Sequence, residues 1–260
     1  MTAWARADRL PRPGQARPAA LARRLALFAA LLGAVASAAH RFQWIETEPF
    51  LAVLAVVLGL VATAFVLVAA AWKPVWVDGK RGGTDMVLAV AVGLLILTPF
   101  GWAFGQARSH PALSDIATDL DDPPALRTGD RTQYGEEARA LQAANYPEVA
   151  GRRYALPADR LAELCETLMR DWGWSVGDVV PGTTEISLRA SARTLILGYP
   201  SDVAVRITDE GETSFVDMRS RSRFGSHDAG SNAERIETFL AELDTRVSQV
   251  TVAPVAAPAE

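Results

Sequence analysis

Phe50 to Trp72 reads FLAVLAVVLGLVATAFVLVAAAW, 23 residues without a charge. At about 1.5 Å per residue such a helix is about 34 Å long, enough to cross a hydrocarbon core of about 30 Å. A surface helix of a soluble protein keeps a polar stripe, and this segment has none. Met86 to Phe104 repeats the signal over 19 uncharged residues, with Pro99 near its end. Both are read as membrane spans. Leu25 to Ala39 is apolar but shorter, and it follows Arg23 and Arg24. Read as a span it covers about 25–44, with His40 and Arg41 snorkelling to the interface. Its competitor is a signal peptide cleaved near Ala36-Ser37-Ala38. The long tail before Arg23 and the two spans that follow favour a retained helix.

The charges then set an orientation. The formal net charge is −4, but residues 1–105 hold 10 Lys+Arg and 5 Asp+Glu, whereas residues 106–260 hold 16 and 25. Basic residues concentrate in the N-terminal tail (Arg6, Arg9, Arg12, Arg17, Arg23, Arg24) and in the loop after the second apolar run (Lys73, Lys80, Arg81). The positive-inside rule places both in the cytoplasm and the C-terminal part outside. Trp44, Trp72, Trp76 and Trp102 lie near span ends, as interfacial anchors do. The expectation is a multi-pass protein of the inner (cytoplasmic) membrane with a periplasmic C-terminal domain. The acidic balance excludes a strongly basic nucleic-acid binder, and the single cysteine, Cys165, excludes an internal disulfide framework.

The C-terminal part divides into a connector (105–156), a soluble domain (157–248) and a tail (249–260) read as disordered. Glu136 to Ala144 reads as a short helix within the connector. Leu161, Leu164, Cys165, Leu168, Met169 and Trp172 fall on one helical face, in a helix starting at Pro157. Short strands follow over 174–180, 184–190, 194–199, 202–208 and 214–223. Ser231-Asn232-Ala233-Glu234 reads as a capping box before a last helix with Ile236, Phe239, Leu240, Leu243 and Val247 inward. The expected fold is α+β. Three transmembrane helices precede an antiparallel meander sheet with two flanking helices, in the order α-β-β-β-β-β-α.

Chemistry is harder to find. On the last strand Asp217, Arg219, Arg221 and Arg223 alternate onto one face, with Ser220 and Ser222 on the other. Arg206 and Arg189 oppose the apolar residues of their own strands, so the arginines gather on the wet face of the sheet. The functional reading is an anion-binding surface made by Arg206, Arg219, Arg221 and Arg223 near the N-terminus of the last helix. The plainer reading pairs them across strands with Glu185, Asp202 and Asp217. An alternative is an envelope hydrolase or transferase using Asp202 or Asp217 with the arginines as anion clamps. Ser226-His227-Asp228 is no relay, because adjacent residues cannot converge; Asp228 or Ser226 reads as a turn or cap residue. Asp115, Asp119, Asp121 and Asp122 lack the glycine and terminal glutamate of an EF-hand loop. Cys165 lies on a buried face and reads as inert. No cofactor, metal site or catalytic residue is expected; the expected partners are the membrane and an anionic small molecule or envelope protein.

Three stretches carry a family resemblance. Asp115-Ile116-Ala117-Thr118-Asp119 with Asp122-Pro123-Pro124 resembles the opening of the bacterial and plastid domain of unknown function 1499. Tyr199-Pro200-Ser201-Asp202-Val203-Ala204-Val205-Arg206 looks like its middle motif, more often Pro-Asp-Asp. Val216 to Ile236 is similar to its arginine-serine strand, turn and final helix, with Ser231 and His227 as departures. The resemblance covers about 110–245 and singles out Asp202, Arg206, Asp217, Arg219, Ser220, Ser222, Arg223, Gly225, Asp228, Gly230 and Asn232. It implies an exported or membrane-attached domain and supplies no activity and no catalytic residue.

Overall fold

The computed structural model describes residues 14–127, 134–194 and 197–252. The chain divides into two compact units, Met1–Trp102 and Ala103–Glu260. Helices α1 (Arg17–Arg41), α2 (Thr47–Trp76) and α3 (Gly83–Ser109) make up the first, α3 running on past its end. Each is long and apolar enough to cross a membrane.

The first span begins earlier and ends sooner than the sequence predicts. Pro18 sits in the first turn, where its missing N–H costs nothing. The helix stops at Arg41 because His40 turns inward rather than snorkelling. Its Nε2 lies 3.0 Å from Thr47 Oγ1, and its ring stacks on Phe50 at 4.4 Å. Ala19, Ala22, Ala26 and Ala29 are fully buried along one face of α1. They pack on Val57, Val61, Ala64 and Ala71 of α2 and on Met86 and Ala89 of α3, within three apolar clusters. Small side chains let the helix backbones approach closely, which is how helices associate where no hydrophobic force separates lipid from protein. The segment leading into α1 is tied to the α2–α3 loop by Ala16 N–H to Arg81 O (2.8 Å) and Arg81 N–H to Gly14 O (3.0 Å). Arg23 pairs with Asp85 at 2.9 Å. Residues 1–13 of the predicted tail lie outside the described residues.

The second unit contains β1 (Asp115–Ala117), α4 (Glu136–Asn145), β2 (Arg152–Tyr154), α5 (Ala158–Asp171) and β3 (Ser175–Pro181). Then come β4 (Glu185–Arg193), β5 (Pro200–Asp209), β6 (Ser214–Ser222) and α6 (Ser231–Val252). The strands form one sheet in the order β1-β6-β5-β4-β3, and β2 pairs with the other end of β6. All pairs are antiparallel. The α+β expectation holds, with two changes to its strands. Residues 115–117 and 152–154, read as connector, are edge strands; three residues are too few for alternation to register. Of the strand expected over 194–199, the described residues Thr194 and 197–199 are not in a strand; Gly198 N–H donates to Thr194 O and Thr194 N–H to Tyr199 O, both 3.0 Å. Leu195 and Ile196 of that expected strand lie outside the described residues.

One face of the sheet is apolar. Leu188, Val205, Ile207 and Met218 meet Leu161, Cys165, Leu168 and Met169 of α5 and Ile236, Phe239 and Leu243 of α6, all fully buried. Burial pushes the Cys165 thiol up to about 12, so it stays protonated and inert. Trp172 meets Phe239 edge-on at 5.6 Å, and Trp174 stacks on it at 5.5 Å. The helix α5 starts one residue after Pro157, which stands at its N-cap. The end of α6 runs to Val252, into the tail read as disordered; residues 253–260 lie outside the described residues.

The predicted capping box does not form. Ser231 is already helical, and Asp228 caps α6 instead. Its Oδ1 accepts Gly230 N–H at 2.9 Å and its Oδ2 accepts Asn232 N–H at 2.8 Å. A left-handed pair, Ala229 (φ 54°) and Gly230 (φ 82°), turns the chain so that those N–H groups meet the carboxylate. A side chain at Gly230 would also collide with the His110 ring, 2.5 Å from an added Cβ.

Candidate functional site

Register places Ser187, Arg189 and Ser191 of β4, Asp202 and Arg206 of β5, and Asp217, Arg219 and Arg221 of β6 on the second face of the sheet. The sequence predicts that face to be wet. Instead the segment after β1 lies across it. Thr118 meets the Met218 main chain twice, its N–H donating to Met218 O and its side-chain Oγ1 accepting Met218 N–H, both 2.9 Å. The same hydroxyl donates to Asp217 Oδ1 at 2.8 Å. Arg189 Nε donates to Ala125 O at 3.1 Å and Arg219 Nη1 to Pro124 O at 3.3 Å.

The arginines of the row therefore meet different fates. Arg219 is 0% exposed and holds Asp115 in a two-pronged pair, Nε to Oδ1 at 2.9 Å and Nη2 to Oδ2 at 2.7 Å. The Tyr134 ring lies 5.5 Å from its guanidinium carbon, and Tyr134 Oη donates to Asp115 Oδ1 at 2.7 Å. Burial first, then the Asp115 charge, push the Tyr134 phenol well above its ordinary range. Arg206 is shared by Asp122 (2.7 Å), Asp119 (2.9 Å) and Asp217 (3.1 Å). Its Nε is enclosed without a partner among the described residues. Arg223 pairs with Asp202 at 2.6 Å and donates to Ser191 Oγ at 3.3 Å. Arg221 is half-buried and has neither ion pair nor side-chain hydrogen bond among the described residues.

The plainer reading of the row is thus met by two cross-strand pairs, Arg206–Asp217 and Arg223–Asp202. The larger share of the neutralising charge comes from Asp115, Asp119 and Asp122, about a hundred residues upstream. The carboxylates do not converge on a reacting centre. Asp202 stands opposite Arg221, four residues beyond Asp217 along the sheet, which is about 13 Å. Each is held by its own arginine. Ser226, His227 and Asp228 form no relay: His227 Nδ1 accepts Ala229 N–H at 2.9 Å, and its Nε2 lies 3.1 Å from His110 O. No group of three or more metal-ligating side chains occurs among the described residues.

The remaining motif residues fasten α6 to the sheet. Asn232 is fully buried. Its Nδ2 donates to Ser114 O and Ser222 Oγ, both 3.0 Å, and its Oδ1 accepts Ser220 Oγ–H at 2.8 Å. Gly225 takes φ 82° in the turn between them. Residues 115–243 match the family described as "Protein of unknown function (DUF1499)". The match lies wholly within the C-terminal unit. The DUF1499 motif therefore has a structural account in this chain, since Asp202, Arg206, Asp217 and Arg219 form the ionic face while Ser220, Ser222, Asp228, Gly230 and Asn232 seat α6. No curated protein matches the chain. The solved vertebrate conserved region of human METTL16 shares 13% identity over 40% of this chain and 99% of its own, at a TM-score of 0.30, and at that level it carries no argument.

Sequence reasoning missed Tyr134 and Arg235 as members of these networks, and it saw the aspartates of residues 115–122 without their arginine partners. Arg235 does sit inside the longest motif match, but a lone arginine on a helix carries no periodic signal.

Proposed function

We propose that this is a three-span protein of the bacterial inner membrane that carries its DUF1499 unit on the periplasmic side and binds an anionic ligand there. Arg221 carries the reading. It is the member of the arginine row left without a carboxylate among the described residues. Arg223 and Ser191 stand beside it on the same end of the sheet. Arg206 and Arg219 are withdrawn from the ligand surface, because their charge is already spent on Asp115, Asp119, Asp122 and Asp217. A guanidinium with free donors offers two-pronged contact to a carboxylate or phosphate. The orientation rests on the basic tail and the Lys73–Arg81 loop. The unbroken run of α1 through Ala36-Ser37-Ala38 supports a retained first span.

The test is purification of the intact protein in mild detergent, with identification of co-purifying molecules. Replacing Arg221 with alanine is expected to lower ligand capture by about tenfold or more with an unchanged melting midpoint. Unchanged capture removes this surface. A reporter fused at Gly105 reads the topology, and a cytoplasmic signal there overturns the periplasmic placement.

A further inference from the structure

Arg235, at the start of the second turn of α6, is placed at an energetic cost. Its Nη1 donates to Ser220 Oγ at 2.9 Å and to Asn232 Oδ1. Both acceptors are neutral, and it forms no ion pair among the described residues. Burial lowers its pKa from the ordinary arginine value, and Asp228 and Glu234 oppose that only through longer-range charge. Asp228 is already spent on the main-chain N–H groups of Gly230 and Asn232. Arg206 and Arg219 show how this fold treats enclosed guanidinium groups: it supplies them with aspartates. Arg235 receives none.

The unused donors are not fully enclosed. Nε and Nη2 have no partner among the described residues. The enclosed side-chain atoms without a partner are Tyr146 Oη and Arg206 Nε, so neither free nitrogen of Arg235 is sealed from solvent. Nη1 is fixed by Ser220 and Asn232, and the Nε–Nη2 edge is left without a partner among the described residues. That edge is a rigid two-donor fork of the shape that fits two oxygens of a carboxylate or phosphate. The surface is separate from Arg221, since Ser220 and Arg221 point to opposite sides of β6.

We propose that the Nε–Nη2 edge of Arg235 is a binding site for a small oxyanion, a carboxylate or a phosphate, which supplies the negative charge the fold withholds. The test uses the full chain in detergent micelles. Inorganic phosphate and acetate are titrated separately at constant ionic strength made up with chloride, and the melting midpoint of the C-terminal unit is followed. A saturable rise with at least one probe is expected, because binding to the native state stabilises it; the probe that acts identifies the ligand class. The exposed control Arg160→Gln is expected to keep the response. Arg235→Gln is expected to abolish it, and Arg235→Lys, which keeps the charge without the fork, to weaken it by about tenfold. No saturable response in the unaltered protein overturns the proposal, as does a full response in Arg235→Gln. If Arg235→Gln does not fold, an unweakened Arg235→Lys overturns it. A response lost in Arg221→Gln but kept in Arg235→Gln also overturns it, while leaving the Arg221 surface in place.

Discussion

The two faces of the DUF1499 sheet are filled by opposite means. Under α5 and α6, Leu188, Val205, Ile207 and Met218 are buried among aliphatic and aromatic side chains. On the other side, Arg206, Asp217 and Arg219 are nearly as enclosed, but beneath the segment that follows β1. The first face gains from removing apolar area from water, which is non-directional and tolerates exchange of similar shapes. The second gains only if each charge meets its partner, since an enclosed guanidinium without one costs more than the pair returns. The same alternation of side chains therefore produces a forgiving core and an exacting one.

The sharpest way to break this comparison is Arg219→Ala. It strands Asp115 and unpins β1 from β6, and a loss of about 3–5 kcal/mol is expected in denaturant melts. Phe239→Ala, on the apolar face, is expected to cost a similar ~3–5 kcal/mol by leaving a cavity. The two part company on repair: replacing Asp115 and Arg219 together with apolar residues of similar volume is expected to recover most of the loss. An Arg219→Ala cost below about 1 kcal/mol would mean that the ionic face is mere solvated decoration.

Asn232→Ala comes next, at about 1–3 kcal/mol, because it leaves the Ser114 carbonyl and two serines short of partners at the seat of α6. Asp122→Ala tests the outer rim of the ionic face. Asp122 is 84% exposed, so a cost of about 1 kcal/mol or less is expected, shrinking further in high salt. Hydrogen bonds from Arg153 and Thr213 hold the Glu210 carboxyl down to about 2. A depressed folded pKa stabilises above the unfolded value near 4.5 and is lost as pH falls through about 2. The small midpoint difference between the unaltered protein and Glu210→Gln should therefore be constant above pH about 5 and vanish towards pH 2. A difference that persists at pH 2 removes the ion pair as its source.

Much of the fold is legible in the residues themselves. The helix over 158–171 announces itself through Leu161, Cys165, Leu168 and Met169, and β5 and β6 through alternation across 202–208 and 214–222. Asp228 as a turn or cap residue is equally readable, because a short acidic side chain before a helix has few other uses. Ser231 misleads, since its spacing to Glu234 imitates a capping box while Asp228 already fills that role. β1 and β2 are too short to carry a period, and they exist because β6 offers them an open edge. For the site, the row of arginines is visible in the strand, but not which of them is free.

What the sequence alone determined is whatever depends on near neighbours along the chain: three apolar helices of membrane-crossing length, amphipathic α5 and α6, and the face on which each strand residue points. Periods of 3.6 and 2 and uncharged runs are local properties, and they survive without knowledge of the partner. Only the tertiary structure decided that Arg219 meets Asp115 across 104 residues, that Asp119 and Asp122 close over Arg206, and that Arg221 and Arg235 keep donors to spare. Charge pairing is a matter of distances of a few ångströms between segments far apart in the chain, and no spacing within one segment encodes it.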